Sequence, residues 1–169
     1  MSANVFDLTG KVVVVTGAAG GIGMAVCRQL GGSGATIVLS DVNKSGLESS
    51  KSELDSLGIK CGTFVSDTSI ESEVIALYQY VVKEFGVPDV LVNNAAQGTH
   101  TPPQDTSMEV WNRVIGTSLT GYFLNAREFA RVVLPSKKSA AIVNISSIAG
   151  SSAIGRGNFA YSTAKGGVN

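Results

Sequence analysis

The chain has 169 residues, of which 44% are apolar and 15% charged, and its thirteen basic residues balance thirteen acidic ones. That length and apolar share suit one globular domain with a substantial core and exclude a disordered chain. A neutral balance with no basic run argues against nucleic acid or an anionic membrane as a partner. Lys11 to Thr16 read as a first strand. The apolar residues there do not alternate with polar ones, as in a strand buried on both faces. Gly21 to about Leu30 follow as a helix, ended by Gly31, Gly32 and Gly34. Ala35 to Ser40 form a second strand, with Asp41 at its end. Lys44 to Leu57 form a helix with Leu47, Leu54 and Leu57 on its inner face. Ile59 to Val65 are a third strand. Ser69 is placed to cap a helix to about Phe85 that turns Ile70, Val74, Leu77, Tyr78 and Val81 inward.

Asp89 to Val92 begin a fourth strand, and Gln97 to Pro103 a loop. A cap at Asp105, Thr106 or Ser107 opens a long helical region that Pro135 stops after Leu134. Ala140 to Ile145 are a fifth strand and Ser146 to Gly157 a loop of small residues. A last helix starts at Asn158 or Phe159. Strands alternating with helices predict an α/β fold of Rossmann type, a doubly wound parallel sheet between two helical layers. Right-handed crossovers give the strand order 3-2-1-4-5. Residues 1–169 read as a single nucleotide-binding domain without repeats or linkers.

Other features narrow the setting. Cys27 and Cys61 form no C-x-x-C pair and read as two buried, reduced thiols, and the single histidine, His100, cannot build a metal site alone. No basic segment followed by an apolar stretch opens the chain, and no apolar run is long enough to span a bilayer. A cytoplasmic protein is the expectation.

Thr16-Gly17-Ala18-Ala19-Gly20-Gly21-Ile22-Gly23 stands at the first strand-to-helix turn. Free N–H groups and the positive end of the helix dipole make such a turn a seat for phosphate. Gly17 allows the tight turn, Gly21 lets a pyrophosphate approach the backbone, and Gly23 lets the helix pack close to the strand. The spacing is G-x-x-x-G-x-G, and a glycine-rich turn without a ligand is the alternative. Asp41 ends the second strand about twenty residues further on, where a carboxylate can accept hydrogen bonds from both ribose hydroxyls of an adenosine. A 2′-phosphate would meet its negative charge, so NAD is favoured over NADP. Asp41 could also cap the helix that follows.

Tyr161 and Lys165 are four apart on one face of the last helix. An ammonium beside a phenol favours the phenolate, and such a tyrosine can exchange a proton with an alcohol or carbonyl oxygen. Ser147, at the end of the fifth strand, could hold the same oxygen. Each residue alone could equally be an ordinary helical pair or strand end.

Taken together, Thr-Gly-x-x-x-Gly-x-Gly, Asn93-Asn94-Ala95, Ile145-Ser146-Ser147 and Tyr-x-x-x-Lys resemble the short-chain dehydrogenase/reductase family, from Leu8 to Lys165. The resemblance implies an oxidoreductase that interconverts a secondary alcohol and a ketone with NAD. Tyr161 would be its acid/base, Lys165 would hold the nicotinamide ribose, and Ser147 would orient the substrate oxygen. It further implies that Asp67 contacts the adenine, that Ile22 lies along the pyrophosphate, and that Asn93 and its neighbour Asn94 support cofactor and sheet. A homo-oligomer is implied for a full-length form.

Two departures stand out. Counting from Trp111-Asn112-Arg113-Val114-Ile115 to the family's helix asparagine, which holds a helix distortion and a water for proton relay, arrives at Ser118. The family's fold also continues beyond Tyr-x-x-x-Lys, so a fragment lacking the C-terminal part is expected, with the fifth strand left as an apolar edge. A nucleotide-binding module without catalysis is therefore the alternative function. Gln97, Thr99, His100, Ile154 and Phe159 are candidates to line a substrate pocket.

Overall fold

The computed structural model describes residues 6–152 and 157–169. Five parallel strands form one sheet, in the order β3 (Cys61–Val65), β2 (Thr36–Asp41), β1 (Val12–Thr16), β4 (Val90–Asn93) and β5 (Ala141–Asn144). This is the predicted Rossmann-type order.

The unbroken β-branched run of β1 is explained by apolar layers on both sides. Val13 and Val15 meet Met24 and Cys27 of α1 (Gly21–Gly32) and Leu47 and Leu54 of α2 (Lys44–Ser56). Val14, facing the other way, packs with Val74, Leu77 and Val81 of α3 (Glu71–Phe85) and with Leu124 and Phe129 of α5 (Gly121–Val133). Alternate side chains of a strand point to opposite faces, so a strand between two helical layers needs apolar residues at every position. Each fully buried Val or Leu contributes roughly 1.5–3 kcal/mol. Asp89 ties the open end of β1 to β4. Its carboxylate accepts the Val12 N–H at 3.0 Å and the Lys11 ammonium at 3.2 Å. Burial pushes its pKa up, but these hydrogen bonds outweigh it and hold the carboxyl below its ordinary value.

Several local expectations need correction. Ser69 does not cap α3. The helix starts after Ile70, and Asp67 instead accepts both the N–H and O–H of Ser69. Ile70, extended just before the first turn, and Leu57, one residue past the end of α2, are both exposed rather than inward. Asp41 does not cap α2; Asn43 does, accepting the Gly46 N–H. Cys61 is half-buried because β3 is an outer strand, whereas Cys27 is enclosed. Both thiols are free.

The long helical region is not one helix. Ser107 caps α4 (Met108–Ile115), a π turn spans Gly116–Thr120, and α5 follows. A single 3₁₀ turn over Leu134–Ser136, containing Pro135, ends it. Ile148–Gly150 form another 3₁₀ turn, and α6 runs from Phe159 to Val168. All four residues of β5 are exposed.

Candidate active site

The carboxyl ends of parallel strands all reach one edge of the sheet, and ligands of such folds bind there. A cleft at that edge is lined by Thr16 and Gly17 after β1, Asp41 at the end of β2, Ser66, Asp67 and Thr68 after β3, and Ala95 to Gln97 after β4. The first half of the predicted set, Gly17, Asp41 and Asp67, is therefore brought together.

The glycine turn is built by close approach. Gly17 has φ +66°, and a Cβ there would stand 2.7 Å from the Ala95 Cα. Gly23 makes room for the turn itself, because its Cβ would lie 2.2 Å from the Gly17 carbonyl oxygen and 2.8 Å from Asn94 Nδ2. Gly21 has φ +53° with open space around its missing Cβ. No side chain caps α1 at Gly20, no acidic residue lies in its first turn, and Ile22 is exposed beside it. The N–H groups of that first turn are thus left to solvent or an anion. Asn94 braces the turn: its Nδ2 donates to the carbonyls of Thr16 and Gly17, both at 3.0 Å. Thr16 Oγ1 accepts from the Asn94 and Ala95 N–H groups.

Asp41 has two local bonds. One oxygen accepts the Ala19 N–H of the glycine turn at 3.0 Å and the other the Asn43 N–H at 2.9 Å. A carboxylate offers about four lone-pair sites, so about two remain for a ligand. Asp67 holds Ser69 with one oxygen, and its own N–H donates to Glu73. Thr68, beside it in the cleft, accepts from the buried Asn125 amide at 2.6 Å.

Ser147, Tyr161 and Lys165 are not part of that lining. They belong to the same edge of the sheet further along, past β4 and β5. The 3₁₀ turn that Ser147 caps, through the Ala149 N–H, packs directly on α6. A Cβ on Gly150 would stand 2.6 Å from the Lys165 carbonyl group. Ser146 Oγ donates to the same carbonyl at 3.4 Å. Lys165 is enclosed, with its ammonium 5.8 Å from the centre of the Tyr161 ring. Burial lowers its pKa from the ordinary 10.5 to about 8. Its Nζ donates to the Tyr122 hydroxyl at 2.8 Å and to the Ile145 carbonyl at 2.6 Å.

Tyr122 is the residue that sequence reasoning missed. It sits four residues after Ser118, close enough to share a helix face, and that spacing was the available signal. Ser118 lies within the π turn, so the helix distortion is present without an asparagine. Its hydroxyl accepts the Gln97 N–H and donates to the Gln97 carbonyl. Asn93, fully buried, donates to Asn144 at 2.9 Å and to the Tyr122 carbonyl at 3.2 Å. Of the candidate substrate-pocket residues, Gln97 lines the cleft, Thr99, His100 and Phe159 do not, and Ile154 lies outside the described residues. Phe159 instead stacks on Trp111 of α4 at 5.7 Å.

Comparison with known proteins bears on the family and the fold. The family described as short chain dehydrogenase matches residues 11–169. A curated relative from Mycobacterium tuberculosis, (5R,7aS)-5-hydroxy-7a-methyl-1-oxo-2,3,5,6,7,7a-hexahydro-1H-indene-carboxyl-CoA reductase, is 39% identical over 145 residues, covering 85% of this chain and 55% of its own length. An NAD+-bound xylitol dehydrogenase superposes with a TM-score of 0.89 at 34% identity, over 95% of this chain and 62% of its own. An actinorhodin polyketide ketoreductase with NADPH gives 0.90 at 31% identity, over 94% and 60%. The chain thus spans somewhat over half the length of these relatives. No helix among the described residues is long and apolar enough to cross a membrane. The matched residues span the whole sheet, the glycine turn and the helix of Tyr161 and Lys165, and the chain belongs to the short-chain dehydrogenase family.

Proposed function

We propose that the protein is an NAD(H)-dependent oxidoreductase that interconverts a secondary alcohol and a ketone. One observation carries the cofactor half of this reading: Asp41 stands in the cleft beside Gly17 and Asp67, with lone pairs to spare after its two backbone bonds. Those lone pairs suit the two ribose hydroxyls of NAD, and their charge opposes the 2′-phosphate of NADP. The start of α1, with Gly21 and Ile22 at its mouth, suits the pyrophosphate. Asn94 and Gly23 act one step behind, fixing the turn.

A bound nicotinamide supplies the acceptor or donor of hydride. The chain's own residues handle the proton and the orientation. Tyr161 would exchange the proton with the substrate oxygen, Ser147 would hold that oxygen, and Lys165, whose ammonium lies beside Tyr161, would hold the nicotinamide ribose. The substrate is a small molecule, and a homo-oligomer suits a full-length form. A cytoplasmic setting is part of the same reading.

Calorimetric titration with NAD and NADP tests the reading. Tighter binding of NAD is expected, and tighter binding of NADP overturns the assignment of Asp41. Ser118 favours a second reading, a nucleotide-binding module without turnover, because its only hydroxyl proton is committed to the Gln97 carbonyl. Cofactor binding without oxidation of any of a panel of secondary alcohols would select that reading.

A further inference from the structure

Lys165 is held by more than the helix that carries it. An ammonium has three protons to donate. Two of them are taken, one by the Tyr122 hydroxyl at 2.8 Å and one by the Ile145 carbonyl at 2.6 Å. Tyr122 donates its own proton to that same carbonyl at 3.0 Å. Its oxygen therefore faces Lys165 as an acceptor, and burial together with nearby Tyr161 raises the Tyr122 pKa, which keeps the phenol neutral. The ammonium also lies 4.5 Å from the Tyr122 ring centre.

This frame is fixed from three elements. The Tyr122 carbonyl on α5 accepts from Asn93 at the end of β4, Asn93 also holds Asn144 of β5, and the Ile145 N–H donates to the Asn93 carbonyl. Tyr122 itself is 4% exposed. Ser118, one turn earlier, spends its hydroxyl on Gln97.

We infer that Tyr122 is a positioning residue, whose phenol oxygen fixes the Lys165 ammonium beside Tyr161 and leaves one N–H of that ammonium for the cofactor ribose. The role in turnover rests on the oxidoreductase reading; the hold on Lys165 does not. Among the described residues, the ionisable groups beside Lys165 are Tyr122 on α5 and Tyr161 on its own helix. Ile145 contributes an uncharged carbonyl.

The test is a titration of the lysine side chains of the 169-residue chain by carbon NMR, with the Lys165 signal assigned by its loss in Lys165→Met. Tyr122→Phe removes the acceptor, together with the hydroxyl's own bond to the Ile145 carbonyl. Without it the ammonium is less favoured, so the Lys165 midpoint is expected to fall by about one to two units, the equivalent of one charge-assisted hydrogen bond. The thermal midpoint of the variant serves as the control for folding. A Lys165 midpoint that stays put or rises overturns the inference. Should Tyr122→Phe fail to fold, Tyr122→Met is read the same way. In the unaltered protein, ammonium protons of Lys165 that exchange as fast as those of exposed Lys60 also overturn it. None of these readouts needs cofactor or turnover. A failed titration therefore refutes the part played by Tyr122, and failure of the unaltered chain to bind NAD refutes the functional reading.

Discussion

Strands β1 and β5 lie two places apart in one parallel sheet, yet they serve the site by different means. Val13, Val14 and Val15 of β1 are completely enclosed, whereas Ile142 and Val143 of β5 are 42% and 46% exposed. Beyond β1 the cleft is shaped by the backbone of the Gly17 turn, which short side chains brace: Asp41 accepts the Ala19 N–H and the Asn94 side-chain amide donates to two carbonyls. Beyond β5, outside that lining, the site depends on long side chains reaching between helices, Lys165 from α6 and Tyr122 from α5. A buried strand with short loops fixes its ligand contacts locally. An edge strand depends on what packs over it.

The largest effect expected on that contrast is catalytic. Tyr161→Phe deletes one hydroxyl on the β5 side, so turnover in an active form of the protein should drop by ~10²–10⁴-fold while NAD affinity, carried by the β1 side, stays within a few-fold. Steady-state kinetics paired with calorimetry measure both, and equal loss in the two would merge the halves. Stability offers the next comparison. Leu39, at the centre of β2, has no exposed surface, so Leu39→Ala should cost about 2–5 kcal/mol in urea unfolding. Ile142→Ala on β5 should cost well under half of that, and equal costs would mean that β5 is covered in solution.

Asp41→Ala comes third. It removes the proposed ribose acceptor and the bond to the Ala19 N–H, so NAD should bind about tenfold to a hundredfold more weakly, the equivalent of roughly 1.5–3 kcal/mol. NADP should be affected less, and calorimetry with both dinucleotides checks this. The last comparison is the pH dependence of stability. Lys165 has a pKa of about 8 when folded against 10.5 ordinarily, so the unfolded chain holds the proton more tightly. Stability should therefore rise as pH climbs through that window, and the rise should be smaller in Lys165→Met. Urea midpoints taken across the window decide it.

The two halves were also unequally legible. Sheet order, the glycine turn and the strand-end position of Asp41 could be read from the sequence because each depends on residues near in the chain. Val12 to Val15 announce a doubly covered strand by composition alone. The family motifs singled out Tyr161 and Lys165 but said nothing of Tyr122, which is 43 residues from Lys165 and joins it only once β4, α5 and α6 are packed. The π turn was hidden for a related reason. Gly116 to Thr120 carry no breaker strong enough to stop a helix, and the turn's conformation answers to contacts such as Ser118 with Gln97. Ser69 shows the opposite error. It is a good cap by type, but it stands one residue too early: Ile70 holds the position before the first turn of α3, and Ser69 is turned back onto Asp67.

The π turn also sets the phase between two surfaces. In an α-helix each residue advances the side chains by roughly 100° about the axis. The wider turn at Gly116–Thr120 holds residues that a regular helix would place elsewhere, so α4 and α5 are out of step with one another. On the α4 side of that offset, Trp111 meets Phe159 at the start of α6. On the α5 side, Phe129 meets Tyr78 of α3. A π turn closes with one residue more than an α turn, so deleting one residue from Gly116–Thr120 would tighten it to a regular turn with Trp111 and Phe129 still facing their partners. The extra residue therefore serves the site and not the packing: what a deletion would disturb is the local bulge that brings Ser118 to the Gln97 backbone.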